Sequence, residues 1–284
     1  MTNKTWLFVS SSPGIESTIF EWMLSQCALQ NISLKVVVVL PKLSHSIFEW
    51  FENQQHQDII QRQVELEKNK RQTWINLAQE QQVDLTIDVR FGKLNSEVIQ
   101  IANDINAELL VKQTDDLPQK EGVLFQSVDW HLLRKSPVPL LLYRVNTPLP
   151  FENIMVSVDV DIETQPYHSS EFNQKLLSWG ERFRNNNSLS VVHAWQSDIE
   201  NLVRRWDTDL TENVLIELNE QVYYEHKIAL NVELETHSFE GKEPAVLMCK
   251  GEAAESIGQA VKEQKTDLLV LGTISRSGVL GLLI

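Results

Sequence analysis

The 284-residue sequence predicts two tandem α/β domains, each a doubly wound parallel sheet with helices on both faces. Three observations predict it. Apolar runs of strand length alternate with longer stretches of helical period, and the alternation restarts after a short linker bearing Pro148 and Pro150. One spacing also recurs: Gly92 precedes Glu108-Leu-Leu-Val111 by 16 positions, and Gly251 precedes Asp267-Leu-Leu-Val270 by the same 16. A glycine ends one strand where the backbone must turn tightly, and an acidic residue opens the next buried strand.

In the first half, Trp6 to Val9 is a strand, followed by the turn cluster Ser10 to Gly14. Ile15 to Gln30 spaces Ile19, Met23 and Cys27 four apart, one face of a helix. Lys35 to Leu40 is apolar and β-branched, the pattern of a strand buried on both faces, and Pro41 ends it. A long polar helix is predicted over Ser44–Gln82, with Trp50, Ile59, Leu66, Trp74 and Leu77 facing the core. Leu85 to Phe91 is the third strand, and Ser96 to Asn106 a short helix presenting Val98, Ile99, Ile101, Ala102 and Ile105. Leu109 to Val111 and Val138 to Tyr143 complete the set.

The second half opens with a strand at Ile154 to Val158, ended by Asp159 and Asp161. Leu189 to Ala194 is the next strand, and a helix over Thr211–Lys227 matches the long polar helix. Only fourteen residues follow Val270, so this copy is expected to lack its final strand. Its end, Gly278 to Ile284, is apolar, a surface to be covered by a partner or a neighbouring strand. The expected boundaries are 1–147 and 151–284.

The net charge is −14, from 25 basic and 39 acidic residues, which disfavours nucleic-acid backbones and anionic membranes. Lys68, Lys70 and Arg71 lie among Glu65, Glu67 and Gln72 and read as a solvated helix face. Cys27 and Cys249 have no metal-like spacing and are expected to be buried free thiols. Met1 to Trp6 runs into a strand pattern, so no signal peptide is expected, and no apolar run reaches the ~20 residues a membrane helix needs. A cytoplasmic location is expected.

Chemistry-bearing motifs are sparse. His131 reads as a packed or surface histidine and His193 as a packed one, and no Walker lysine loop, HExxH or Ser–His–Asp constellation stands out. Asp159 and Asp161 have the hard oxygen ligands for a ribose or Mg²⁺, but acidic residues also simply end strands.

Asp267 to Gly278, with Gly251 and the strand Val191 to Trp195, resembles the universal stress protein family. Ser127 to Pro139, Pro166 to His168 and Asn173 to Leu176 resemble its tandem E-type members. The resemblance implies a Rossmann-like, adenine nucleotide alpha hydrolase-like fold with strand order 3-2-1-4-5. It also implies a stress-response role, with ATP bound in some members on a G-x2-G-x9-G-[ST] loop after the fourth strand and an Asp after the first strand contacting the nucleoside. The second copy keeps Asp159 and Gly272, with Thr273 following; Ser275 stands at the second glycine, and the chain ends where the final Gly would begin. These four residues are the candidate cofactor-binding set. In the first copy Ser10 or Ser11 takes the Asp position, and Lys112 to Asp116 replaces the glycine loop with two carboxylates that would repel phosphate. No cofactor is expected in the first domain.

The leading expectation is therefore a non-enzymatic, cytoplasmic stress-response protein that acts by ligand sensing or through contacts with a protein partner or a second copy. The alternative is an ATP-binding or slowly ATP-hydrolysing protein that uses its second domain.

Overall fold

A computed structural model describes residues 4–42, 57–114, 127–160, 162, 168–184, 187–197 and 211–272. The chain divides into two units, Met1–Leu149 and Pro150–Ile284. Domain 1 runs β1 (Thr5–Val9), α1 (Ser17–Gln30), β2 (Ser33–Leu40), α2 (Gln57–Asn69), α3 (Gln72–Glu80), β3 (Leu85–Phe91), α4 (Leu94–Asp104), β4 (Leu109–Thr114), α5 (Ser127–Lys135) and β5 (Leu140–Arg144). Its strands lie in the order β3-β2-β1-β4-β5, all parallel.

Strand β1 is central and buried on both faces, because its alternation feeds two cores. Leu7 and Val9 pack with Val37, Val98, Ile101, Ala102 and Leu110, joining the sheet to α4. Trp6 and Phe8 point the other way, toward α1 and α3. There Phe20 stacks on Trp74 at 4.1 Å and 7°, and Phe8 lies 5.9 Å from Trp74. Each such ring pair adds about 0.5–1.5 kcal/mol beyond its burial. The face of α1 expected from sequence is in place, with Ile19, Met23 and Cys27 buried. The helix ends at Asn31, whose φ of 54° is the left-handed conformation that Asn tolerates.

The predicted long helix over Ser44–Gln82 is corrected in its described part. It is two helices, α2 and α3, parted at Lys70 and Arg71. The buried stripe runs Glu67, Arg71, Trp74, Ala78, the 4-3-4 spacing of one helix face. Leu66 sits one step, roughly 100°, off that stripe and is 53% exposed rather than core-facing. Trp74 is buried and Leu77 half-buried; Trp50 and the side chain of Ile59 lie outside the described residues.

Domain 2 runs β6 (Asn153–Ser157), α6 (Glu171–Arg184), β7 (Ser188–Trp195), α7 (Glu212–Thr236), β8 (Ala245–Lys250), α8 (Ala253–Glu263) and β9 (Leu268–Val270). The order is β8-β7-β6-β9, again parallel. Among the described residues this sheet has one strand fewer than the first. Helix α7 runs on to Thr236 rather than ending near Lys227, since Ala229, Leu230 and Glu233 continue a buried face. Helix α8 covers one face through Ala260 against Met155 and Val192. Helix α6 covers the other, and approaches so closely that a Cβ on Gly180 would lie 2.3 Å from Val156 Cγ2.

The repeated spacing does the same work in both sheets. The amides of Gly92 and Gly251 donate to Leu40 O and Trp195 O, the last residues of β2 and β7, each at 2.9 Å. Those of Glu108 and Asp267 donate to Thr5 O and Asn153 O, each at 2.8 Å. By strand register Ser11 therefore corresponds to Asp159, and Gln113 to Gly272. Among the described residues no helix is long and apolar enough to cross a membrane.

Candidate functional site

In an open parallel α/β sheet the crevice for a ligand lies beyond the carboxyl ends of the strands, where the crossovers change side. Two positions mark that edge in each domain: the residue just past the first strand and the residue at the end of the fourth.

Domain 1 closes this edge with its own side chains. Ser10 Oγ donates to Glu16 Oε2 at 2.6 Å, and Glu16 Oε1 accepts from the amide and hydroxyl of Ser11 at 2.8 and 3.0 Å. Arg71, 0% exposed, donates to Ser10 Oγ from Nε and Nη2 at 3.1 and 2.9 Å. Its Nη1 donates to Glu67 O and Oε2 at 2.8 and 2.9 Å. Burial pushes the Glu67 carboxyl up, but the hydrogen bonds and charges of Lys70 and Arg71 outweigh it and hold the pKa below the ordinary value. At the other position, Lys112 and Asp129 form a buried ion pair at 3.0 Å, and Gln113 Nε2 donates to Ile15 O at 3.2 Å. Every one of these groups is spent inside the domain. The set does not fit an adenine nucleotide: the space past β1 holds a guanidinium and two carboxylates, and Gln113 ties the end of β4 to the loop after β1.

The basic cluster thus divides. Lys68 and Lys70 are exposed as expected, whereas Arg71 is a core residue, which corrects the reading of the whole cluster as a solvated face.

Domain 2 is built differently at the same edge. Asp159 is exposed, between buried Val158 and Val160. The backbone around it is held at three points: Val158 N–H donates to Val192 O at 3.0 Å, Val158 O bonds His193 Nδ1 at 3.0 Å, and Asp159 O accepts from Asn173 Nδ2 at 2.8 Å. His193 Nε2 in turn meets His226 Nδ1 at 2.9 Å, so the histidine of β7 is a packed, bonded group as its context predicts. Behind Asn173 stands the buried carboxylate of Glu233 on α7, at 2.7 Å. Gly272 leaves the neighbouring strand β9, and a Cβ there would fall 2.3 Å from the Phe172 ring. A methyl group there would require that ring to move.

A model of the universal stress protein family matches residues 9–144 and, a second time, residues 150–284. The chain belongs to the universal stress protein family. Its relatives include a universal stress protein E homolog of Haemophilus influenzae, 24% identical over 254 residues, covering 88% of this chain and 79% of that protein. Universal stress protein E of Escherichia coli K12 is 27% identical over 194 residues, 66% of this chain and 57% of its own length. Among solved structures, a functionally unknown protein from Pseudomonas aeruginosa PAO1 superposes with a TM-score of 0.64 at 16% identity, over 99% of this chain and 86% of its own. Both halves are thus stress-protein domains, in the tandem arrangement of the E type.

Of the four candidate residues, Asp159 and Gly272 emerge from adjacent strands, β6 and β9, whereas Thr273 and Ser275 lie outside the described residues, as do Asp115, Asp116 and Asp161. Among the described residues no three His, Cys, Asp or Glu side chains gather as metal ligands. His131 lies half-buried on α5. Cys27 is a buried thiol, while Cys249 is only partly buried; burial and Glu263 push its pKa up, so it is a poor nucleophile. Sequence reasoning passed over Glu233 and His226. Each sits on α7, and only its partner on a distant segment marks it.

Proposed function

We propose that this stress protein is a non-catalytic cytoplasmic sensor whose second domain, within 151–284, takes one adenine nucleotide, ATP among them, while the first, 1–147, serves as a sealed scaffold. The observation that carries the reading is the contrast at equivalent positions. At the first position the short, neutral Ser11 gives both its amide and its hydroxyl to Glu16, which is bound to the Ser10–Arg71 network, whereas at the second a carboxylate, Asp159, stands on an anchored backbone. The Asp carboxylate is suited to accept from ribose hydroxyls, and Gly272, Thr273 and Ser275 would face the phosphates. The state signalled by the ligand is then read by a protein partner or a second copy of the chain.

Isothermal titration of the full chain with ATP tests this. The expected result is one site per chain, with affinity reduced about tenfold or more by Asp159→Ala, the loss of a charge-assisted hydrogen bond. Two sites per chain would contradict the sealed first domain. No heat at all would contradict nucleotide sensing, and turnover of ATP at an enzyme-like rate would contradict a non-catalytic role.

A further inference from the structure

Glu233 carries a burial that demands a reason. It is 2% exposed, and among the described residues no cation pairs with it. Desolvating a carboxylate costs several kcal/mol unless its lone pairs are satisfied. Here they are satisfied by neutral donors, two from the first turn of α6 and two from the residues just before it. Oε1 accepts from Ser170 N at 2.8 Å and Asn173 Nδ2 at 2.7 Å; Oε2 accepts from Ser169 Oγ at 2.7 Å and Gln174 Nε2 at 3.1 Å. The N-terminal end of α6 adds its favourable dipole.

Asn173, also 2% exposed, is the link from this cluster to the edge of the sheet. Its amide nitrogen has two hydrogens and two acceptors: Glu233 Oε1 takes one and Asp159 O takes the other. Two acceptors on one NH₂ group fix which way the amide faces. The peptide of Asp159 is thereby tied to α7 through two buried side chains, while Asp159 itself stays exposed. A strand end needs no such tie to terminate; a side chain that must meet a ligand at a set position does.

We infer that Asn173, oriented by the buried carboxylate of Glu233, is a positioning residue that holds Asp159 for the ribose hydroxyls of an adenine nucleotide. This rests on the nucleotide reading of domain 2. A donor amide at residue 173 is required and an aliphatic side chain fails. At residue 233 an acceptor oxygen is required, so Glu233→Gln, which keeps one, retains the clamp.

The test compares ATP with 2′,3′-dideoxy-ATP by titration calorimetry on the full chain, alongside amide hydrogen exchange of the segment around Val158 and Val160. The native chain is expected to prefer ATP about tenfold, the value of a charge-assisted hydrogen bond to the ribose. Asn173→Ala is expected to erase that preference, leaving dideoxy-ATP affinity unchanged, and to speed exchange at Val160 without lowering the melting temperature of the whole domain to match. Glu233→Gln is expected to keep the preference. Asn173→Ser, whose single hydroxyl hydrogen cannot serve both Glu233 and Asp159 O, is expected to lose the preference in the same way and serves where the alanine variant does not fold. Retention of the preference by Asn173→Ala, or by Asn173→Ser in its place, overturns the inference, and so does equal loss of both ligands, the mark of a merely structural residue. Absence of ATP binding by the native chain overturns the nucleotide reading and the ribose role with it. Exchange at Val160 then separates the two failures: a change on Asn173→Ala locates the error in the ligand, and no change locates it in the clamp.

Discussion

Arg71 donates to Ser10 and Glu67 from inside the core of domain 1, so its removal strips a donor from Ser10 Oγ and Glu67 O and leaves the Glu67 carboxylate with the exposed Lys70 as its counter-charge. Breaking a buried pair from one side costs about 3–5 kcal/mol, and Arg71→Ala is expected to destabilise domain 1 by that amount in urea denaturation. Arg71→Lys does not restore it, because an ammonium cannot span Ser10 and Glu67 as the guanidinium fork does. Glu67 supplies a pH dependence. Its folded pKa is depressed below 4.5, so its stabilisation is complete above that value and is lost as pH falls through the folded pKa. Thermal melts between neutral pH and pH 3 should show this loss in the native chain and a shallower one in Glu67→Gln. None of this was legible in the run Lys68-Asn69-Lys70-Arg71, where three cations look alike. Arg71 differs only in falling on the same helical stripe as Trp74 and Ala78.

Elements are where local pattern speaks most directly. The β-branched run of β2, the 16-residue spacing and the four-apart face of α1 each report a periodicity that the backbone itself imposes. The boundaries of α2, α3 and α7 were less legible, because polar helices carry few apolar residues to mark a face. Gly180 shows what an element-level reading omits. Nothing in the run Ser178-Trp179-Gly180-Glu181 announces that α6 touches β6 there, yet a methyl group has no room beside Val156. Gly180→Ala is expected to cost about 1–3 kcal/mol through overpacking, despite the better helix propensity of alanine. Chemical denaturation followed through the domain 2 tryptophans would measure it. Gly272→Ala is expected to cost less, since the partly exposed Phe172 ring can swing aside.

At the scale of the whole molecule, two units each carry their own core, one built on β1 and the other on β6. Calorimetry should therefore resolve two unfolding transitions, with Arg71→Ala lowering one and Gly180→Ala the other. A single transition displaced equally by both substitutions would contradict separate cooperative units. The duplicated doubly wound architecture, the family and the place of Asp159 just past a strand are all legible along the chain, because they follow from local periodicity and short motifs. That the first crevice is sealed and the second anchored emerges from contacts between segments far apart in the chain. Ser10 meets Arg71 across 61 positions, Asn173 meets Glu233 across 60, and His193 meets His226 across 33. Such pairings come from the crossovers that bring helices back onto the sheet, and a one-dimensional pattern carries no record of which polar residue will land opposite which.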